Sequence, residues 1–105
     1  MKYFNLKFTP ENLKRHLDYN KDKIGTIRDE QKGEPLDLVI IDGITYRLDG
    51  VLKGNLDLFT SKGLPFYEMG GFKNRLEYIS EIIRIYGDDP EKILYYHVLS
   101  RVNID

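Results

Sequence analysis

The chain contains no cysteine and no tryptophan, and it has only two methionines and four prolines in 105 residues. Without cysteine there is no disulfide framework and no thiolate metal site. The absence fits a reducing compartment. There is no long apolar run, so no membrane span is expected, and the opening "MKYFNLKFTPENLK" lacks the apolar core of a secretory signal. These readings together predict a cytoplasmic protein with no membrane partner. There is also little net charge, −1 overall. Tight binding to long nucleic acid rests on phosphate neutralisation, and this balance weighs against it.

What is present describes a folded protein. Hydrophobic residues make up 41% and charged residues 31%, which suits one soluble domain covering residues 1–105. The charge is unevenly spread. Residues 1–28 hold seven Lys or Arg against three Asp or Glu, or +4, and the remainder carries −5. A basic first quarter is what a phosphate-facing surface needs, although small proteins also show such imbalance by chance.

Residues 2–8, "KYFNLKF", alternate: Phe4, Leu6 and Phe8 share one face, as in a half-buried strand. "TPENLKRHLDY" follows as a short helix, with Thr9 as cap, Pro10 at its first position, and Leu13, His16 and Leu17 on one side. Residues 20–35 read as irregular apart from an extended "TIR". Asp42-Gly43 lies between "LVII" and "ITYRL", the signature of a two-residue hairpin, and Asp49-Gly50 predicts a second tight turn. Residues 54–71 are glycine-rich and predict a loop, with a helical turn near "LDLFTSKG". "NRLEYISEIIRIYG" is the strongest helix signal: Asn74 caps, Glu77 completes a capping box, and Leu76, Ile79, Ile82, Ile83 and Tyr86 form an apolar stripe. "ILYYHVLSRV" reads as a closing strand. This order predicts an α+β fold with a small, mostly antiparallel sheet curled into a barrel and flanked by two or three helices.

The usual catalytic signatures are missing. There is no phosphate-cradling Gly-Lys-Ser/Thr loop and no Gly-x-Ser-x-Gly elbow. His16 and His97 lack metal-ligand spacing, so no metal or cofactor is expected. The informative stretch is "KDKIGTIRDE", residues 21–30. If residues 26–28 are extended, Thr26 and Arg28 share a face while Ile27 points to the core. A hydroxyl and a guanidinium side by side suit a base edge, a phosphate or a carbonyl. Lys23 adds a point charge, or a base if burial lowers its pKa. The alternative is that Arg28 pairs with Asp29 or Glu30 on a wet surface.

An opening strand and helix, then "KDKIGTIR", then "LDLVIID" resemble the ASCH superfamily, whose β-barrel is related to the PUA RNA-binding domain. The family pattern is Gly-x-Lys-Thr-x-Thr-Ile-Arg. Lys23, Thr26, Ile27 and Arg28 match it in register; Ile24 stands at the first threonine and Gly25 between the two. "MGGFKNRLEYISEIIRIYG" resembles a second family element, and "ILYYHVLSRV" the closing strand, so the resemblance spans nearly the whole chain. It implies a PUA-like barrel that binds RNA, or a nucleotide or modified nucleoside, in a cleft beside the Thr-Ile-Arg segment. On the binding reading, Lys23, Thr26 and Arg28 line this cleft, Lys14, Arg15 and Lys21 meet phosphates, and Tyr67, Tyr95 or His97 stacks on a base. Some small members hydrolyse N4-acetylcytidine with a lysine, a threonine and a glutamate. Lys23 and Thr26 occupy the first two roles, and the glutamate position falls on Gly71. Glu68, three residues earlier, is the carboxylate that an inward-folded loop would bring to the site. A third reading makes the chain a non-catalytic module whose acidic surface contacts a protein.

Overall fold

The structure, a computed structural model, describes residues 2–61 and 66–102. Gly63 and Pro65 of the expected loop lie outside the described residues.

The chain opens as an extended segment rather than a strand. Its alternation is realised, with Phe4, Leu6 and Phe8 half-buried and Tyr3, Asn5 and Lys7 exposed. Its backbone, however, meets the sheet through one parallel bridge, Tyr3 to Leu38, where Phe4 N–H donates to Leu38 C=O at 2.9 Å and Leu38 N–H to Lys2 C=O at 2.8 Å. Helix α1 then runs Pro10–Tyr19, capped as its sequence predicts: the Thr9 hydroxyl accepts from Asn12 N–H at 3.2 Å. Strand β1, Lys23–Arg28, is longer than the expected "TIR".

Strands β2 (Leu38–Ile41) and β3 (Ile44–Asn55) form the expected hairpin, and Asp42 and Gly43 take the positive φ angles, 52° and 76°, that a two-residue turn of this hand requires. The second turn does not form. At Asp49-Gly50 the pairing of β3 instead shifts by one residue, from Leu48 opposite Leu99 to Gly50 opposite Val98. Asp49 is the extra residue of a bulge, and β3 runs on as one long strand. Asp49 is held there by the Ser100 hydroxyl and by Arg47. Two single-turn helices follow, α2 (Leu56–Phe59) and α3 (Phe66–Met69), before α4 (Arg75–Tyr86) and β4 (Ile93–Arg101). Asn74 caps α4 as expected, accepting from Glu77 N–H at 2.9 Å. The expected apolar stripe faces inward at Ile79, Ile82, Ile83 and Tyr86, with Tyr78 buried beside it, whereas Leu76 is 74% exposed.

The four strands make one antiparallel sheet in the order β1-β4-β3-β2. The last strand therefore lies in the middle, between β1 and β3. The expected closure into a barrel is not seen among the described residues: β1 and β2 are the two edges and do not pair. Each face of the sheet carries its own core. Ile24, Val39, Ile41, Tyr46, Leu48 and Leu99 pack under the opening segment and α1. On the other face Ile27, Leu94 and Tyr96 pack with Phe59 and Phe66 of the short helices and with Tyr78 and Ile82 of α4. Burying each such side chain contributes roughly 1.5–3 kcal/mol, so the two faces fix the helices from both sides.

One glycine is fixed by this packing. A Cβ on Gly25 would lie 2.1 Å from the Tyr96 hydroxyl. That hydroxyl crosses the β1 backbone to donate to Phe66 C=O at 3.0 Å, tying α3 to the sheet. No side chain fits at position 25 while the tie is made.

Candidate functional site

The register of β1 decides what its side chains and backbone can reach. Arg101 N–H donates to Asp22 C=O at 2.8 Å, so Asp22, Ile24, Thr26 and Arg28 turn their peptide groups toward β4. By alternation, Lys23, Gly25 and Ile27 turn theirs off the edge of the sheet. The Tyr86 hydroxyl, donating to Ile27 C=O at 2.9 Å, confirms the direction. Side chains alternate as well. Thr26 and Arg28 share the α1 side, as expected; Lys23 and Ile27 share the other.

Helices from both layers close over this edge. Between α1, α4 and β1 lies a cavity of about 50 Å³, walled by Thr26 and Arg28, by the backbone of Gly25, and by Arg15, His16 and Tyr78. That volume holds a few water molecules, or the polar edge of a ring whose remainder projects outward.

Two guanidinium groups flank the cavity, each lying on an aromatic ring. Arg15 sits 3.9 Å from the centroid of Phe72, and Arg28 sits 4.7 Å from that of Phe8. Arg28 also donates to Lys7 C=O at 3.1 Å and to Ile27 C=O at 3.4 Å. It therefore does not make the wet-surface pair with Asp29 or Glu30. Arg15 binds the loop before α4, donating from Nε to Gly70 C=O at 2.8 Å, and also reaches Asn12 and His16. Partial burial lowers its pKa, but it stays a cation. Glu81 supplies the opposing charge, and its hydrogen bond from Arg84 holds its carboxyl below the usual range.

His16 is 3% exposed. Burial, followed by the charges of Arg15 and Arg28, pushes its pKa down to about 3, so it is neutral at pH 7. Arg15 can only donate, and its Nη2 lies 3.3 Å from His16 Nε2. Nε2 is then the acceptor, and the single ring proton sits on Nδ1. Nδ1 is buried and has no partner among the described residues. The Tyr78 hydroxyl is buried and unpartnered in the same way, and burial pushes its pKa up. Two residues that line one cavity thus each hold a buried, unmatched polar group, at a cost of about 1–3 kcal/mol each.

Of the residues predicted to form the site, Thr26, Arg28 and Arg15 meet at this cavity. Lys23 is exposed and on the opposite side of β1 from Thr26. Lys21 and Glu68 are exposed and off the cavity, Tyr67 is half-buried beside Glu68, and Lys14 pairs with Asp18. Tyr95 is half-buried and does not line the cavity. His97 is fully buried, and both its ring nitrogens are used: Nε2 accepts from Lys32 N–H at 2.9 Å and Nδ1 donates to Tyr95 C=O at 3.1 Å. A histidine so placed cannot stack on a base. At the position where the resemblance would place a glutamate, Gly71 adopts φ +79°, and a Cβ there would lie 2.8 Å from Arg15 C=O. Docking of α1 excludes a glutamate at 71. Tyr78, Glu81 and Tyr86 were not expected at the site. The hint was two tyrosines eight residues apart on an otherwise aliphatic helix face.

No family model matches the chain, and no curated protein matches it. Among solved structures, the crystal structure of "hypothetical protein PH0355" matches with a TM-score of 0.64 and 17% identity, covering 97% of this chain and 100% of that one. At that identity the likeness shows the fold alone. No helix among the described residues is long and apolar enough to cross a membrane.

Proposed function

We propose that the chain is an ASCH-like, PUA-related module that binds a nucleoside- or nucleotide-sized ligand at the β1 edge. The observation that carries this reading is a cavity flanked by two guanidinium groups that lie on rings and lined by His16 and Tyr78, whose buried Nδ1–H and hydroxyl lack partners among the described residues. The cations favour carbonyl or phosphate oxygens, and the rings offer flat faces. The net charge of −1 fits a small ligand better than a long RNA.

Binding is favoured over hydrolysis. Amide hydrolysis of an acylated nucleoside needs a group that passes a proton. Gly71 cannot do so, Glu68 and Lys23 lie off the cavity, and Glu81 is held charged by Arg84. The wild type should therefore release no acetate from N4-acetylcytidine; turnover abolished by Lys23→Ala would reverse this reading. The binding reading is tested by NMR titration with nucleoside monophosphates. Arg28→Ala should weaken the affinity about tenfold or more, as expected for a lost charged contact, and Lys23→Ala should leave it unchanged. Equal affinity in wild type and Arg28→Ala would remove Arg28 from the site.

A further inference from the structure

The most unusual wall of the cavity is main chain. Gly25 has no side chain, so what it contributes is its peptide groups, and these point off the sheet edge. Ile27 turns its peptide groups the same way. Its C=O is taken by Tyr86 and Arg28. No hydrogen bond from the described residues reaches Gly25 N–H, Gly25 C=O or Ile27 N–H. Both residues are buried, Ile27 at 8% exposure. Buried backbone groups are almost always paired, and an edge strand is the usual place where another molecule supplies the partner. A second strand has no room here, because α1 and α4 close over the edge and leave about 50 Å³.

An acceptor at Gly25 and a donor at Ile27, adjacent along one strand edge, match a planar ring that carries a donor next to an acceptor. The N3–H and carbonyl of a uracil-type ring, or the amino group and ring nitrogen of a cytosine- or adenine-type ring, have this pattern. We infer that the Gly25 C=O and Ile27 N–H read the amide or amidine edge of a planar heterocycle, with the guanidinium groups of Arg15 and Arg28 beside it. The inference rests on the nucleoside reading above and deepens it: the ring is recognised by backbone, so no single side chain carries ring selectivity. Tyr86 belongs to this device. By occupying Ile27 C=O it leaves Gly25 C=O as the one open acceptor, next to Ile27 N–H, with the Gly25 N–H further along the edge.

The test uses the full chain, labelled with ¹⁵N and ¹³C, titrated with the four ribonucleosides. The tightest binder is then compared with its counterpart methylated at the ring nitrogen: 3-methyluridine, 3-methylcytidine, 1-methyladenosine or 1-methylguanosine. The expected result is a shift of the Ile27 amide and the Gly25 carbonyl on binding, and a loss of about tenfold or more in affinity on methylation, as for a site built around a hydrogen bond. Equal affinity for the methylated nucleoside, with Gly25 and Ile27 unmoved while Arg15 and Arg28 respond, overturns main-chain recognition and leaves the nucleoside reading standing. No binding by any of the four or by their monophosphates overturns both.

Discussion

His16 and His97 are both buried and neutral, and both lie on the α1 side of the sheet, yet their surroundings differ in one respect. Around His97 every hydrogen-bonding group is spent. Its two nitrogens bridge Lys32 and Tyr95 and fasten the segment after β1 onto β4. Around His16 the count does not close: one nitrogen accepts from Arg15, and the other has no partner beside a cavity that also holds the unpartnered Tyr78 hydroxyl. The same residue type serves the fold in one place and is kept in reserve in the other. Burial alone does not distinguish them; the partner count does.

The largest expected effects break the fold side of this comparison. His97→Leu leaves Lys32 N–H and Tyr95 C=O without their partner and should cost about 3 kcal/mol in urea unfolding. His16→Leu removes a group that is already half unpaired and should cost less than about 1 kcal/mol at pH 7. Equal losses would erase the distinction. Gly25→Ala forces a methyl group into the Tyr96 hydroxyl, breaking its bond to Phe66, and should cost about 2–3 kcal/mol; pairing it with Tyr96→Phe should recover part of the loss.

Acid sharpens the contrast. Unfolded His16 takes a proton below about pH 6.5, and the folded one only below about 3. Between those values the unfolded state binds more protons, so the stability present above pH 6.5 is lost as pH falls, by at most ~1.4 kcal/mol per unit. His97, lowered mainly by burial, acts in the same direction. Glu30 and Glu81, both lowered by pairing, add to the loss only below about 4.5. His16→Leu should flatten the decline between pH 6 and 4.5, as followed by chemical unfolding at several pH values. An unchanged slope would mean that His16 is not the buried neutral base described. The smallest effect on stability is expected for Tyr78→Phe, within about 0.5 kcal/mol of wild type or slightly above it, because an unpaired buried hydroxyl is removed. Its nucleoside affinity should nevertheless fall.

Local chemistry was legible in the sequence. Thr9 and Asn74 cap their helices, Asp42-Gly43 makes its turn, and Thr26 and Arg28 share a face because strand alternation demands it. What could not be read depended on partners distant in sequence. Lys23 could be grouped with Thr26 only before β1 was known to extend to it, which puts them on opposite sides. A glycine is needed at position 25 because Tyr96, 71 positions later, crosses it. Asp49-Gly50 carries a turn signal, yet pairing with β4 overrides it and makes a bulge. The central place of β4, and the open edge this leaves at β1, are long-range pairings that no local pattern encodes.

The most direct measurement of the central claim is the map of amide shifts when wild-type protein is saturated with a nucleoside. The unmatched groups at the β1 edge predict shifts concentrated in residues 15–16, 25–28, 70–72 and 78–86, with Lys32 and His97 quiet. A map centred on His97 and Tyr95, or one in which residues 25–28 do not move, would contradict it.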